Sequence, residues 1–315
     1  MMTMLIPDTI ELRPIDVEGV ETVGYDPSQP IPPQHLGAEV LVVWGNPQPL
    51  LEIAAATMPR LRWVQTLGAG PEATVAAGFD DDVLLTSGRT LHSVPVAEHA
   101  LALLLAAARR LHELRDAQRE RRWAAHLGGM QPLFDASTFR TLIGAHVVIW
   151  GFGSIAERLA GYLIPMEARV TGIARSAGER GGVPVVGSAG VDETLESADA
   201  LVMILPSLPS TQKILDARRL SLLPRHAWLV NVGRGATVDE DALVAALRDG
   251  ALAGAALDVF ATEPLPSDSP LWTLPQVIIS PHAAGGRPMG AEPLLEENLR
   301  RLQSGKPLRN LVERG

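Results

Sequence analysis

The sequence contains no cysteine. A disulfide framework, a thiolate nucleophile and any sulfur-ligated metal site are therefore excluded, and no other metal-ligating pattern stands out. A long hydrophobic run is missing too. The longest uninterrupted apolar stretch, Ala100 to Ala108, falls well short of the about 20 residues that span a bilayer and reads as a buried helix. Nor is there a surplus of positive charge. Lys and Arg number 27 against 36 Asp and Glu, for a net charge of -9, which argues against a nucleic-acid partner or an anionic membrane surface. The opening Met1-Met2-Thr3-Met4-Leu5-Ile6-Pro7-Asp8 has neither the basic start nor the apolar core of a signal peptide, so a cytoplasmic location is expected. There is no internal repeat and no low-complexity segment. With 315 residues and a hydrophobic share of 46%, the chain has the length for two globular domains and the apolar content for sizeable cores.

Short apolar runs punctuated by turn residues recur along the chain. Val40-Leu41-Val42-Val43-Trp44 ends at Gly45-Asn46-Pro47. Leu61 to Thr66 runs into Leu67-Gly68-Ala69-Gly70, and Val83 to Thr86 follows. Each has the length and composition of a buried strand. One long helix is predicted from Pro95, a residue suited to a first helical turn, to about Trp123. Its first half is nearly apolar all round and its second half charged, which fits a helix that crosses between domains or dimerises, or a core helix with a solvated tail. After it, strands are predicted at His146–Trp150, Ala168–Ala174, Ala200–Leu205, Ala227–Val232, Gly254–Val259 and Val277–Ser280. A closing helix is predicted from about Ala291 to Leu302. This strand–helix rhythm predicts an α/β protein of two Rossmann-like, doubly wound domains.

The first of those later strands leads into Gly151-Phe152-Gly153-Ser154-Ile155-Ala156. A strand, Gly-x-Gly-x-x-Ala and a helix together form a dinucleotide-binding context. Gly151 permits a tight turn, Gly153 lets backbone approach a pyrophosphate, and the helix start offers free N–H groups to phosphate. A glycine turn used only for packing is the competing reading. The tip of the next strand reads Gly172-Ile173-Ala174-Arg175-Ser176. An acidic residue there would bind the ribose hydroxyls of NAD. Arg175 and Ser176 instead suit a 2′-phosphate, so NADPH is expected to be preferred, with NAD possible; a solvated Arg175 is the alternative.

Three further polar residues follow strand ends in order. Arg234 lies between glycines in Asn231-Val232-Gly233-Arg234-Gly235, where backbone freedom allows an unusual turn. There a guanidinium can grip a carboxylate and polarise a carbonyl; a surface arginine in a turn is the alternative. Glu263 follows in Asp258-Val259-Phe260-Ala261-Thr262-Glu263-Pro264, and His282 in Ser280-Pro281-His282. A histidine can donate a proton near neutrality, and a carboxylate can pair with it. The carboxyl ends of parallel strands are where ligands bind in such sheets. The set points to hydride transfer to a small keto acid.

The chain resembles the D-isomer-specific 2-hydroxyacid dehydrogenases over nearly its whole length. The resemblance is carried by Leu67-Gly68-Ala69-Gly70, Val96-Ala97-Glu98-His99, Gly151 to Ala156, Asn231 to Gly235, Leu257-Asp258-Val259-Phe260 with Glu263-Pro264, and Ser280-Pro281-His282. It implies a cofactor domain, residues 94–282, inserted into a discontinuous substrate domain, residues 1–93 and 283–315, and a homodimer formed through the long helix. By the same resemblance His282 is the acid–base, Glu263 its partner, and Arg234 the substrate anchor. Leu67, Gly68, Ala69 and Gly70 surround the substrate, whose carboxylate receives backbone N–H groups. Gly151, Phe152, Gly153, Ser154, Ile155, Pro206, Thr211, Val232, Gly233 and Asp258 line the cofactor, with Arg234 and His282 beside it. Within the family the tip at Arg175, the strand ending at Trp44 and Arg287-Pro288 resemble the NADPH-using glyoxylate and hydroxypyruvate reductases. Trp44 and Arg287 are then candidate substrate contacts, a plain surface role being the alternative for Arg287. Pro71-Glu72 departs from the more usual Val-Asp and lacks an N–H. The expected partner is a small 2-keto or 2-hydroxy acid. Two rivals stay open: a nucleotide-sensing protein without turnover, and a related dehydrogenase of formate or phosphite.

Overall fold

The structure is a computed structural model that describes residues 1–131 and 138–313. The chain divides into two compact units, Met1–His92 with Gly286–Gly315, and Ser93–Gly285.

The first unit is built on a five-stranded parallel sheet of β1 (Met2–Pro7), β2 (Val20–Tyr25), β3 (Val40–Val43), β4 (Trp63–Thr66) and β5 (Leu84–Thr86), in the order β2-β1-β3-β4-β5. Alternate side chains of a strand point to opposite faces, and β3 is buried on both. Val40 and Val42 pack with Met4, Trp63 and the apolar stripe Ala291, Leu294, Leu295, Leu299 and Leu302 of the helix Ala291–Gln303. Leu41 and Val43 pack on the other side with Leu5, Leu51, Val64 and Leu85. The closing helix thus belongs to the first sheet. Buried Asn298 secures it, donating to Gln65 Oε1 at 3.3 Å and accepting from the Arg309 amide at 2.7 Å.

The second unit holds an eight-stranded sheet. Its strands are β6 (His146–Trp150), β7 (Arg169–Ile173), β8 (Gly178–Arg180), β9 (Val183–Val186), β10 (Ala200–Met203), β11 (Trp228–Asn231), β12 (Gly254–Leu257) and β13 (Val277–Ile279). The order is β13-β12-β11-β10-β6-β7-β9-β8, parallel except for the antiparallel pair β8–β9. The chain leaves β6 toward β7 and later returns to place β10 on the other side of β6. That reversal is the topological switch at which such sheets bind ligands. Val147 and Ile149 pack on one face against the helix Ser93–Ala108, through Val96, Ala100, Leu103, Leu104 and Ala107, and the helix Ser154–Leu163, through Ala156, Leu159, Ala160 and Leu163. The spacing of three and four is that of one helical face. Val148 and Trp150 pack on the other face with Leu201, Leu229 and Leu243.

The single long helix expected to run to Trp123 is interrupted. One helix ends at Ala108, Arg110 turns left-handed (φ 51°), and a second covers Leu111–Arg119. The Arg110 guanidinium then grips Glu113 through two hydrogen bonds of 2.6 Å, which fixes the new start. Among the strands, β1, β2 and the β8–β9 hairpin have no counterpart in the pattern read from the sequence. Among the described residues no helix is long and apolar enough to cross a membrane, and no cluster of three potential metal ligands occurs.

Candidate active site

The register of the second sheet assembles the site. Ile173 pairs with Trp150, Trp150 with Met203, Met203 with Asn231, Asn231 with Leu257 and Leu257 with Ile279. These six residues form one row across neighbouring parallel strands at their carboxyl ends. Just beyond the row lie Arg175 and Ser176, the turn at Gly151, Pro206, Arg234, Asp258 and His282. Residues far apart in the chain are on one sheet edge because each follows the end of its strand by a few positions.

The turn after β6 has the shape its glycines allow. Gly151 has φ 103°, and a Cβ there would sit 2.6 Å from the Ile204 carbonyl oxygen, so only glycine fits. The space a side chain would fill at Gly153 is open. The helix Ser154–Leu163 begins with Gly153 as its cap residue and no side chain bonded to its first amides. Those N–H groups and the positive end of the helix dipole suit a phosphate, so the residues present fit a dinucleotide. Phe152 is buried with its ring against Gly172 of β7. Across the switch, Thr211 Oγ1 donates to the Pro206 carbonyl at 2.6 Å and accepts from the Leu208 amide at 2.9 Å, which staples the Pro206–Thr211 loop. Arg175 and Ser176 are both exposed at the β7 tip, and Arg175 has no side-chain partner among the described residues.

Arg234 was expected to exploit an unusual backbone. It is instead extended, at φ -137° and ψ 135°. Its flanking glycines serve close approach: a Cβ on Gly233 would lie 2.7 Å from Leu205 backbone, and one on Gly235 would collide with the Phe260 carbonyl group. The Arg234 carbonyl accepts from Thr237 Oγ1 at 2.6 Å and Asn231 Nδ2 at 3.3 Å. Its Nη1 donates to the Gly233 carbonyl at 2.8 Å.

Glu263 and His282 do come together. His282 Nδ1 lies 2.7 Å from Glu263 Oε2, while Glu263 Oε1 accepts from the Phe260 amide at 3.0 Å. The carboxylate is thus oriented by backbone, and the imidazole by the carboxylate. With Nδ1 engaged, Nε2 is the ring nitrogen left for other chemistry, and the His282 side chain is 46% exposed. His282 has φ 52°, a left-handed conformation that costs a non-glycine residue about 1–2 kcal/mol. Such strain needs support from its surroundings.

The support comes from Asp258, whose side chain is 1% exposed. Its backbone carbonyl accepts from the His282 amide at 2.8 Å. Its Oδ1 accepts from Ser280 Oγ at 2.5 Å and the Ala283 amide at 2.8 Å, and its Oδ2 from the Ala284 amide at 3.0 Å. His99 Nε2 lies 2.9 Å from Ser280 Oγ and 3.3 Å from Asp258 Oδ1. Burial alone would push the Asp258 carboxyl up, but these donors outweigh it and hold it down at about 2. His99 and Ser280 belong to the motifs Val96-Ala97-Glu98-His99 and Ser280-Pro281-His282. Only the fold shows that they meet at Asp258.

The first unit places its candidates around β3 and β4. Trp44 follows β3, and its ring stacks on His92 with centroids 5.8 Å apart. Leu67 is fully buried, and its carbonyl lies 2.7 Å from His92 Nε2. The Gly68 amide, expected to face a ligand, already donates to Thr66 Oγ1 at 3.1 Å; those of Ala69 and Gly70 have no acceptor among the described residues. Pro71, whose missing N–H stood out, caps the short helix Glu72–Ala76. Arg287 is exposed, without a side-chain partner among the described residues.

Residues 101–284 match the family model described as the NAD-binding domain of the D-isomer specific 2-hydroxyacid dehydrogenases. The chain is 32% identical to a glyoxylate/hydroxypyruvate reductase A of Klebsiella pneumoniae, over 88% of this chain and 86% of the relative. A D-isomer specific 2-hydroxyacid dehydrogenase of Xanthobacter autotrophicus, solved with NADPH and MES, superposes with a TM-score of 0.73 at 33% identity, covering 94% of this chain and 91% of that one. An NADPH-dependent glyoxylate/hydroxypyruvate reductase of Sinorhizobium meliloti, solved with NADP and sulfate, superposes with a TM-score of 0.77 at 28% identity, covering 94% and 92%. An ordered strand-end row, a glycine turn and a Glu–His pair, in a chain that matches this model over more than half its length, identify an oxidoreductase that belongs to the D-isomer-specific 2-hydroxyacid dehydrogenase family.

Proposed function

We propose that this enzyme reduces a small 2-keto acid, of the glyoxylate or hydroxypyruvate type, to the D-2-hydroxy acid with NADPH. The observation that carries the reading is the Glu263–His282 pair at 2.7 Å, held on the sheet edge that also bears Arg234 and the glycine turn. The names of the Klebsiella and Sinorhizobium relatives support the substrate class, and the NADPH and NADP in the solved neighbours support the cofactor. Ser93–Gly285 is then the cofactor domain, and Met1–His92 with Gly286–Gly315 the substrate domain.

Bound NADPH supplies the hydride. Ser154 and Ile155, whose amides have no acceptor among the described residues, would receive its pyrophosphate, the turn Gly151-Phe152-Gly153 would bring backbone close to it, Arg175 and Ser176 would hold its 2′-phosphate, and Pro206, Thr211, Val232 and Gly233 would line the rest. Arg234 binds the substrate carboxylate and steadies the oxygen on which charge develops, an effect commonly worth about 3 kcal/mol. His282 gives a proton from Nε2 to that oxygen, while Glu263 fixes the ring and balances its charge. We assign Asp258 to holding the His282 loop, in place of the cofactor contact implied by resemblance, because both its oxygens are occupied by protein donors. Trp44, Leu67, Gly68, Ala69, Gly70 and Arg287 are the substrate-side residues of the first unit. We further propose a cytoplasmic homodimer. The cysteine-free composition supports the first term, and the exposed Leu111, Leu114 and Trp123 support the second.

The test is oxidation of NADPH and NADH against a panel of 2-keto acids, followed by the reduced-nicotinamide absorbance, with chiral analysis of the product. Turnover with NADPH yielding the D-acid, and its loss in His282→Ala, are expected. Tight NADPH binding without turnover of any acid would instead identify a sensing protein, and turnover of formate or phosphite alone would identify the other rival.

A further inference from the structure

Arg180 lies outside the glycine turn and the strand-end motifs. It ends β8, an edge strand of three residues that turns back into β9 through Gly181 and Gly182, both left-handed at φ 56° and 79°. Paired glycines with positive φ are what a two-residue hairpin turn needs. The hairpin aims Arg180 inward across the cofactor turn. Its Nη1 donates to the Phe152 carbonyl at 2.7 Å, and its Nη2 donates to the Ser176 carbonyl at 3.1 Å and to Ser176 Oγ at 2.9 Å. One guanidinium therefore joins the glycine turn to the tip of β7, the two segments that flank the adenosine ribose in a dinucleotide fold.

Every acceptor of Arg180 is neutral, and among the described residues no carboxylate pairs with it. A guanidinium has five N–H donors; the three hydrogen bonds leave two for a ligand. Ser176 Oγ, by accepting from Arg180, keeps its own hydrogen to donate. Arg175, by contrast, is exposed and has no side-chain partner among the described residues. We propose that Arg180 is a specificity-determining residue for the 2′-phosphate of NADPH. It holds Ser176 in place and presents a preformed positive charge that Arg175 completes. This rests on the NADPH reading above.

The experiment is calorimetric binding of adenosine 2′,5′-bisphosphate and of 5′-AMP to the full-length protein, without keto acid. Wild type is expected to prefer the bisphosphate. In Arg180→Ala that ligand should weaken about 10- to 100-fold, the effect of losing a charge-assisted contact, while 5′-AMP is nearly unchanged. Arg180→Lys keeps the charge but not the fork, should fall between the two, and serves if Arg180→Ala does not fold. Equal weakening of both ligands would make Arg180 a structural strut, and no weakening of either would also overturn the inference while leaving the NADPH reading intact. A wild type that binds both ligands equally would remove the NADPH reading itself.

Discussion

Asp258→Asn separates the chemistry of His282 from its support. The side chain keeps its shape but loses its charge and one acceptor. Holding the Asp258 carboxyl at about 2, from an ordinary 3.8, corresponds to about 2 kcal/mol favouring the folded, ionised form. An amide also has to turn an NH2 toward Ser280 Oγ and the Ala283 amide or toward the Ala284 amide. That leaves a buried donor unsatisfied, at about 1–3 kcal/mol. A loss of about 3–5 kcal/mol in unfolding free energy is expected near neutral pH, read by urea titration. The folded pKa is depressed, so the wild-type contribution is present above the unfolded value. It is lost as pH falls from about 4 toward about 2, and the gap between wild type and variant should narrow over that window. Loosening the Ser280–Ala284 loop misplaces His282, so kcat should fall about 10- to 100-fold with nucleotide affinity little changed. Equal urea midpoints, or a stability gap that does not change with pH, would refute the role given to Asp258.

The other expectations concern the pair, the close approaches and the cofactor turn. His282→Gln should lower kcat by about 10²- to 10⁴-fold while NADPH still binds, as measured by nucleotide fluorescence. Glu263→Gln should lower it less, with KM for the keto acid little changed; an unchanged kcat would mean that the 2.7 Å contact does not orient the histidine. Gly235→Ala places a methyl group in the Phe260 backbone, so a loss of about 1–3 kcal/mol and weaker turnover should appear together, because the Phe260 amide orients Glu263. Gly172→Val drives a side chain into the Phe152 ring and should raise the Kd for NADPH and NADH alike, in contrast to Arg180→Ala.

Which parts of the fold were legible in the sequence follows from what each element touches. The strands β3, β6, β10, β11 and β12 are covered on both faces, so each appears as a continuous apolar run. β2 lies at a sheet edge with only Tyr25 buried, and β8 has no buried residue; neither leaves a hydrophobic pattern. For the β8–β9 hairpin the sole signal was Gly181-Gly182, and without the hairpin Arg180 is one arginine in a polar stretch. The helix break at Arg110 has no signature, because a left-handed arginine can follow any helix and Leu111–Arg119 has helical composition. The site divides in the same way. The strand-end positions of Arg234, Glu263 and His282 were legible because each trails a strand, and parallel strands in register bring what trails them to one edge. The meeting of His99 and Ser280 at Asp258 was not, because His99 comes from a helix 181 positions before Ser280. A three-dimensional meeting of that kind depends on how the helix Ser93–Ala108 packs across the sheet, and local sequence carries no record of it. The same holds for the left-handed His282. Its strain is tolerable only because a buried carboxylate, itself ionised by four surrounding donors, anchors the loop on both sides of the histidine. The Glu263–His282 contact is thus made by two strand ends, while the aim of the histidine is a property of the whole sheet.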